Sequence, residues 1–213
     1  MQLNQISSQS NKNTKNFFGL QLDQHLSWNP HICALSKKVS TQLFILNKVK
    51  NLLPMATLKN LYYALIDSQI SYGIELWGNS PHINSITKLQ KRAIRIINRE
   101  SYKAHTEPLF KQSRILKITD LYKLKLLMFS YDYKSGHLPA SFANFFQERR
   151  NINISITTRQ ENDFVAQRPR TNFSKNSVYQ QTVTVWNDLP NELKTIPTRS
   201  QFKKALTSHF IDN

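Results

Sequence analysis

Three observations predict a mainly α fold: a multi-helix bundle with a short N-terminal strand or extended stub, and an irregular basic segment before the last helices. Apolar residues recur at three- and four-residue steps in stretch after stretch. Helix-start residues stand where those stretches begin, at Asn29 with Pro30, at Pro54, at Ser80 with Pro81, and at Thr119 with Asp120. Glycine is scarce, four in 213 residues, which favours long helices over Gly-rich phosphate loops.

Taken in order, the first sixteen residues are Asn, Gln, Ser and Lys with no apolar run, so residues 1–16 are expected to be unstructured and do not read as a signal peptide. Phe18, Leu20 and Leu22 alternate as in a strand or extended arm. Asn29 as cap and Pro30 as first residue open a helix in which Ile32, Leu35, Val39, Leu43, Leu46 and Val49 face one way, to about Lys50. Pro54 opens a second, with Leu58, Leu61, Tyr62, Leu65 and Ile66 on its packing side. Between Gly73 and Gly78, Trp77 reads as a ring wedged between helices. A short helix follows from Thr106 to Phe110. A longer one is capped by Thr119 and Asp120, striped by Leu121, Leu124, Leu127, Met128 and Tyr131, and ended by Gly136. A further short helix is expected to anchor Phe142, Phe145 and Phe146. From 147 to 175 periodicity fades and cations accumulate, with Phe164 and Val165 as a short strand. Two helical stretches, Ser174–Leu189 and Ser200–Ile211, close the chain, with Trp186, Leu189, Phe202, Leu206 and Phe210 as apolar contacts.

The charge is more telling than the helices. Twenty-nine Lys+Arg against 13 Asp+Glu leave +16, spread along the chain. Such a field attracts phosphate backbones and releases their counterions, so nucleic acid is the expected partner and a membrane is not. A helix drawn through Ser80–Glu100 sharpens this: at about 100° per residue, Lys88, Lys91, Arg92, Arg95 and Arg99 fall within an arc of roughly 100°. Ile83, Ile86, Leu89, Ala93, Ile94, Ile96 and Ile97 fill the other side. Arg149, Arg150, Arg168 and Arg170 are candidates to extend the cationic track.

Chemistry is missing by contrast. Cys33 is the only cysteine, which excludes an internal disulfide, suits a reducing nucleus or cytoplasm, and leaves His25, His31 and Cys33 without a fourth metal ligand at a usual spacing. Asp23, Asp67, Glu75, Asp120 and Asp132 stand alone. Glu161 and Asp163 are the nearest acidic pair, and local charge balance in a basic loop accounts for them. No nucleophile elbow and no Walker-type loop is present. No active site, metal or cofactor is expected.

Six phrases in order, FFGLQLDQHLSWNPHICALSKKVS, TLKNLYYALIDSQISYGIELWGNS, KLQKRAIRIINRE, LFKQSRILKITDLYKLKLLMF, TTRQENDFVAQRPRTNFSKNSVYQQTVTVWNDLPNELK and SQFKKAL, carry a resemblance across residues 17–211. The chain resembles the region C-terminal to the palm in LINE-type, non-LTR retrotransposon reverse transcriptases of the jockey and CR1 kind. The resemblance implies that Phe18, Gly19 and Leu20 end a palm, so that 17–28 is a palm-end stub, and that 29–146 is a thumb-like helical domain gripping template–primer. It leaves 147–175 as a basic linker and 176–213 as a helical cap. The paired-aspartate turn that such enzymes carry upstream of the stub is absent, as is the zinc knuckle of some relatives, so polymerase activity in this chain alone is not expected. The expected partner is the backbone of RNA, DNA or an RNA–DNA hybrid, with the missing palm domain or an acidic protein as further candidates. Alternatives are a helical protein-interaction module, a decayed remnant, and the C-terminal part of an active reverse transcriptase when joined to a palm.

Overall fold

In the computed structural model, which describes residues 14–149 and 162–212, the chain starts as a hairpin. Strands β1 (Thr14–Phe17) and β2 (Leu20–Asp23) pair antiparallel, with Phe17 opposite Leu20. The two-residue turn between them takes positive φ at Phe18 (46°) and Gly19 (80°), the handedness that matches strand twist. Residues 14–16, expected to be unstructured, are therefore strand; the rest of that expectation lies outside the described residues.

Asp23 ends the hairpin and accepts the backbone N–H groups of Ser27 and Trp28, both at 3.1 Å. Helix α1 (Asn29–Val49) follows. Asn29 is its first residue and not its cap: that place falls to Trp28 in a left-handed conformation, and the Asn29 amide oxygen accepts from the Cys33 thiol instead. Pro54 precedes α2 (Met55–Leu61), which runs through a π turn (Tyr62–Asp67) into α3 (Ser68–Ile70). Helix α4 (Ile74–Trp77) buries Trp77 completely, its indole N–H donating to the Tyr72 carbonyl at 3.0 Å. Gly78 lets α4 approach the later helix that carries Tyr122, since a Cβ there would lie 2.4 Å from Tyr122 Cδ2.

Ser80 opens the basic segment as expected, its hydroxyl accepting from His82 N–H at 3.3 Å, and α5 (Asn84–Ile97) follows a single 3₁₀ turn. Helix α6 (Thr106–Ser113) outruns its expected end at Phe110. Helix α7 (Ile118–Lys134) begins before Thr119 and Asp120, so neither caps it. Its first N–H is met from another helix: Gln90 Oε1 on α5 accepts from Ile118 at 2.9 Å. Gly136 (φ 68°) ends α7. The expected Phe-rich helix is only a 3₁₀ turn, Ala140–Phe142; Phe146 is buried and stacks on Phe164 at 4.5 Å, while Phe142 and Phe145 stay partly exposed. Phe164 forms a lone bridge to Glu148 in place of a strand, and the Asn187 side chain meets both its N–H and its carbonyl at 2.9 Å. The penultimate helical stretch splits at Ser177 into α8 (Asn172–Lys175) and α9 (Val178–Asn187), because the Ser177 hydroxyl caps the second. Short α10 (Asn191–Lys194) and α11 (Arg199–Asp212) complete the fold.

Among the described residues two apolar cores result, and α7 serves both. Leu121, Tyr122 and Leu126 pack with α1, the π turn, Trp77 and α5. Leu124, Leu127, Met128 and Tyr131 pack with Phe164, Trp186, Phe202 and Leu206. The expected thumb-like domain and C-terminal cap thus share one core. Ion pairs from Arg199 to Asp132 (2.6 Å) and from Lys194 to Asp163 (2.9 Å) fasten the second. The Lys194 partner accounts for Asp163; Glu161 lies outside the described residues.

His31 is buried between Trp28 and Trp77, and its Nε2 has no hydrogen-bond partner among the described residues. Burial, helped by the charge of Lys38, pushes its pKa below the ordinary value. Protonation therefore favours the unfolded chain: the contribution is complete above the unfolded pKa of about 6.5 and is lost as pH falls from there through the folded value. Denaturant midpoints of the native protein should drop between pH 7.5 and pH 5, and His31→Gln should flatten that drop. Parallel pH profiles for the two proteins would contradict this placement of the imidazole.

Candidate nucleic-acid interface

Helix α5 separates its two chemistries as its sequence dictates. Ile86, Ala93, Ile94, Ile96 and Ile97 are buried, Ile83 and Leu89 partly so, and Lys88 and Arg92 are exposed, with Lys91 half-buried. Among the described residues no carboxylate pairs with Lys88, Lys91 or Arg92.

The other two expected contacts have work inside the chain. Arg95 donates from Nε to the Ala104 carbonyl at 2.9 Å and lies 5.8 Å from the Tyr102 ring, which pins the loop after α5. Arg99 lies beyond the helix and not on it. Glu100 N–H returns to the Arg95 carbonyl and Arg99 N–H to that of Ile96, a Schellman closure that places Arg99 at the position glycine usually takes, with φ 56°. A non-glycine residue there costs about 1 kcal/mol. Its guanidinium reaches the Leu53 carbonyl at 2.9 Å, tying the end of α5 to the turn after α1.

That tie is one of two that set α1 beside α5. At the other end the Ser36 and Ser85 hydroxyls meet at 3.2 Å, so the helices run parallel in a fixed register. Each rises about 1.5 Å per residue, which puts Phe44 level with Arg92. Outward from the Ser36–Ser85 seam, within roughly 120° on each helix, α5 presents Arg92 and Lys88 while α1 presents Phe44, Lys37 and Lys48. These three α1 residues are exposed, and Lys48 Nζ sits 5.3 Å over the Phe44 ring. Sequence reasoning missed them because the polar face of α1 gains meaning only beside α5.

The remaining candidates divide. Arg149 is half-buried and its backbone N–H donates to the Asp163 carbonyl, which ties its backbone to the segment that carries Phe164. Arg150 lies outside the described residues. Arg168 and Arg170 are exposed in the loop before α8, and Asn79 Nδ2 bonds to Asn176 Oδ1 at 3.1 Å, which brings the segment after that loop to the Ser80 end of α5. Among the described residues no three His, Cys, Asp or Glu side chains gather as metal ligands, and no helix is long and apolar enough to cross a membrane.

The class that fold and face define is a mainly α chain with one strongly cationic two-helix surface. No family model, curated protein or solved structure matches it.

Proposed function

We propose that this chain is a non-catalytic nucleic-acid-binding module that holds a polynucleotide by its backbone, corresponding to the thumb-like grip on template–primer in a non-LTR retrotransposon reverse transcriptase. One observation carries the reading. Neither α1 nor α5 contains an Asp or Glu, yet together they hold Lys37, Lys38, Lys48, Lys88, Lys91, Arg92 and Arg95. A merely solvated face interleaves signs, whereas two neighbouring helices with cations alone repel each other unless an anion lies along them.

Such contacts fix a strand's position without reading bases. Fluorescence-anisotropy titrations at low salt should therefore give affinities for duplex DNA and RNA–DNA hybrid that do not depend on sequence. Absence of binding, or strong preference for one sequence, would contradict the proposal.

The family reading also has a specific support in the N-terminal hairpin. Phe17 and Phe18 at the hairpin tip are 59% and 78% exposed, an apolar end suited to abut a palm. Joined to such a domain, the chain would be the C-terminal part of an RNA-directed DNA polymerase.

A further inference from the structure

We propose that the cleft between the π turn, the Arg114 turn, α7 and α11 binds a phosphate monoester carried on an apolar or planar body, of which a nucleoside monophosphate is the simplest example. The cleft encloses 380 Å³, within the range of roughly 300–1,000 Å³ typical of small-molecule sites. Four cations from three separate parts of the chain line it: Arg114, Lys125, Arg199 and Lys203. Arg199 is neutralised by its two bonds to Asp132 (2.6 and 3.0 Å), which leaves Arg114, Lys125 and Lys203 against one lining carboxylate among the described residues, Asp67. The balance is cationic. Burial pushes the Asp67 carboxyl above its ordinary range, against the pull of Lys125, so it opposes an anion less than a solvated aspartate would.

Two backbone features at the rim are costly on their own. Arg114 adopts φ 49°, a left-handed conformation at the end of α6 that glycine or asparagine would take with less strain. The π turn that carries Tyr63 and Asp67 is a rare element that gathers at functional sites. Beneath the charged rim, Leu116, Leu121, Leu124 and Met128 supply an apolar floor. Charge at the mouth with an apolar base fits a ligand with a dianionic head and an uncharged body. A cleft of this size admits a terminal group, not a continuous duplex. The site uses none of the cations of the α1–α5 face and stands or falls apart from it.

The test is titration of the full chain with AMP, with inorganic phosphate, and with a short oligonucleotide bearing either a 5′-phosphate or a 5′-hydroxyl. AMP should bind saturably and more tightly than inorganic phosphate. Lys203→Gln and Arg114→Gly should each weaken it about tenfold, the loss of one charge-assisted bond. Arg114→Gly should leave the denaturation midpoint unchanged or higher, since glycine suits the positive φ. Lys88→Glu with Arg92→Glu should leave AMP affinity unchanged. If the 5′-phosphate strengthens oligonucleotide binding and Lys203→Gln abolishes the gain, the ligand is a strand end; AMP binding without such a gain identifies the free nucleotide. No saturable AMP binding up to about 5 mM, or binding indifferent to both variants, overturns the proposal.

Discussion

Gln90→Leu is expected to destabilise the protein by about 3–5 kcal/mol, more than any surface change on the same helix. Gln90 is 1% exposed and its amide meets three groups, on the π turn, in the loop before α7 and at the start of α7. Its Nε2 donates to Tyr62 Oη and to the Leu116 carbonyl, both at 2.9 Å, and its Oε1 accepts from the Ile118 N–H. Burial, with the nearby Asp67 charge, pushes the Tyr62 phenol far up, so it stays a neutral hydroxyl in need of a partner. Leucine fills the space but orphans all three groups, each at about 1–3 kcal/mol when buried. Because Ile118 starts the helix that both cores share, the loss should appear as one cooperative shift of the urea midpoint and not as melting of one half. A change below about 1 kcal/mol would show that water or rearrangement satisfies these groups.

The double reversal Lys88→Glu and Arg92→Glu is expected to weaken duplex binding on the order of 100-fold at about 0.1 M salt, since it swings four charges on one face. Both side chains are exposed and, among the described residues, no carboxylate pairs with either, so the melting midpoint should hold. The loss should be alike for all sequences. Phe44→Ala on the neighbouring helix removes no charge and should leave the salt dependence of duplex binding intact. Unchanged affinity in the double variant would remove α5 from the interface.

Much of the architecture was legible because helix signals are local. The stripes of α1, α5 and α7 stand in the sequence at helical spacing, and Ser80 with Pro81 caps as their chemistry requires. What was hidden depends on partners distant in sequence. Gln90 reads as a polar interruption of an apolar stripe until Tyr62, Leu116 and Ile118 converge on it. Arg95 and Arg99 have the right charge for phosphates, but their carbonyl partners at Ala104 and Leu53 appear only with the fold. Helix α7 is apolar on two sides, a pattern visible in Leu121 and Tyr122 against Leu124, Leu127 and Met128, yet two sides imply two cores only once both sets of partners are placed. The cationic face was half-read for the same reason: periodicity identifies a face, and only the Ser36–Ser85 contact shows that Lys37 and Lys48 continue it.

The most direct measurement of the grip is the salt dependence of binding to a plain DNA duplex. Lys37, Lys48, Lys88 and Arg92, each neutralising one phosphate, should give a slope of about −4 in log affinity against log salt, falling to about −2 when Lys88 and Arg92 are replaced by Gln. A slope near zero, or one unmoved by that replacement, would contradict the assignment of this face to a polyanion.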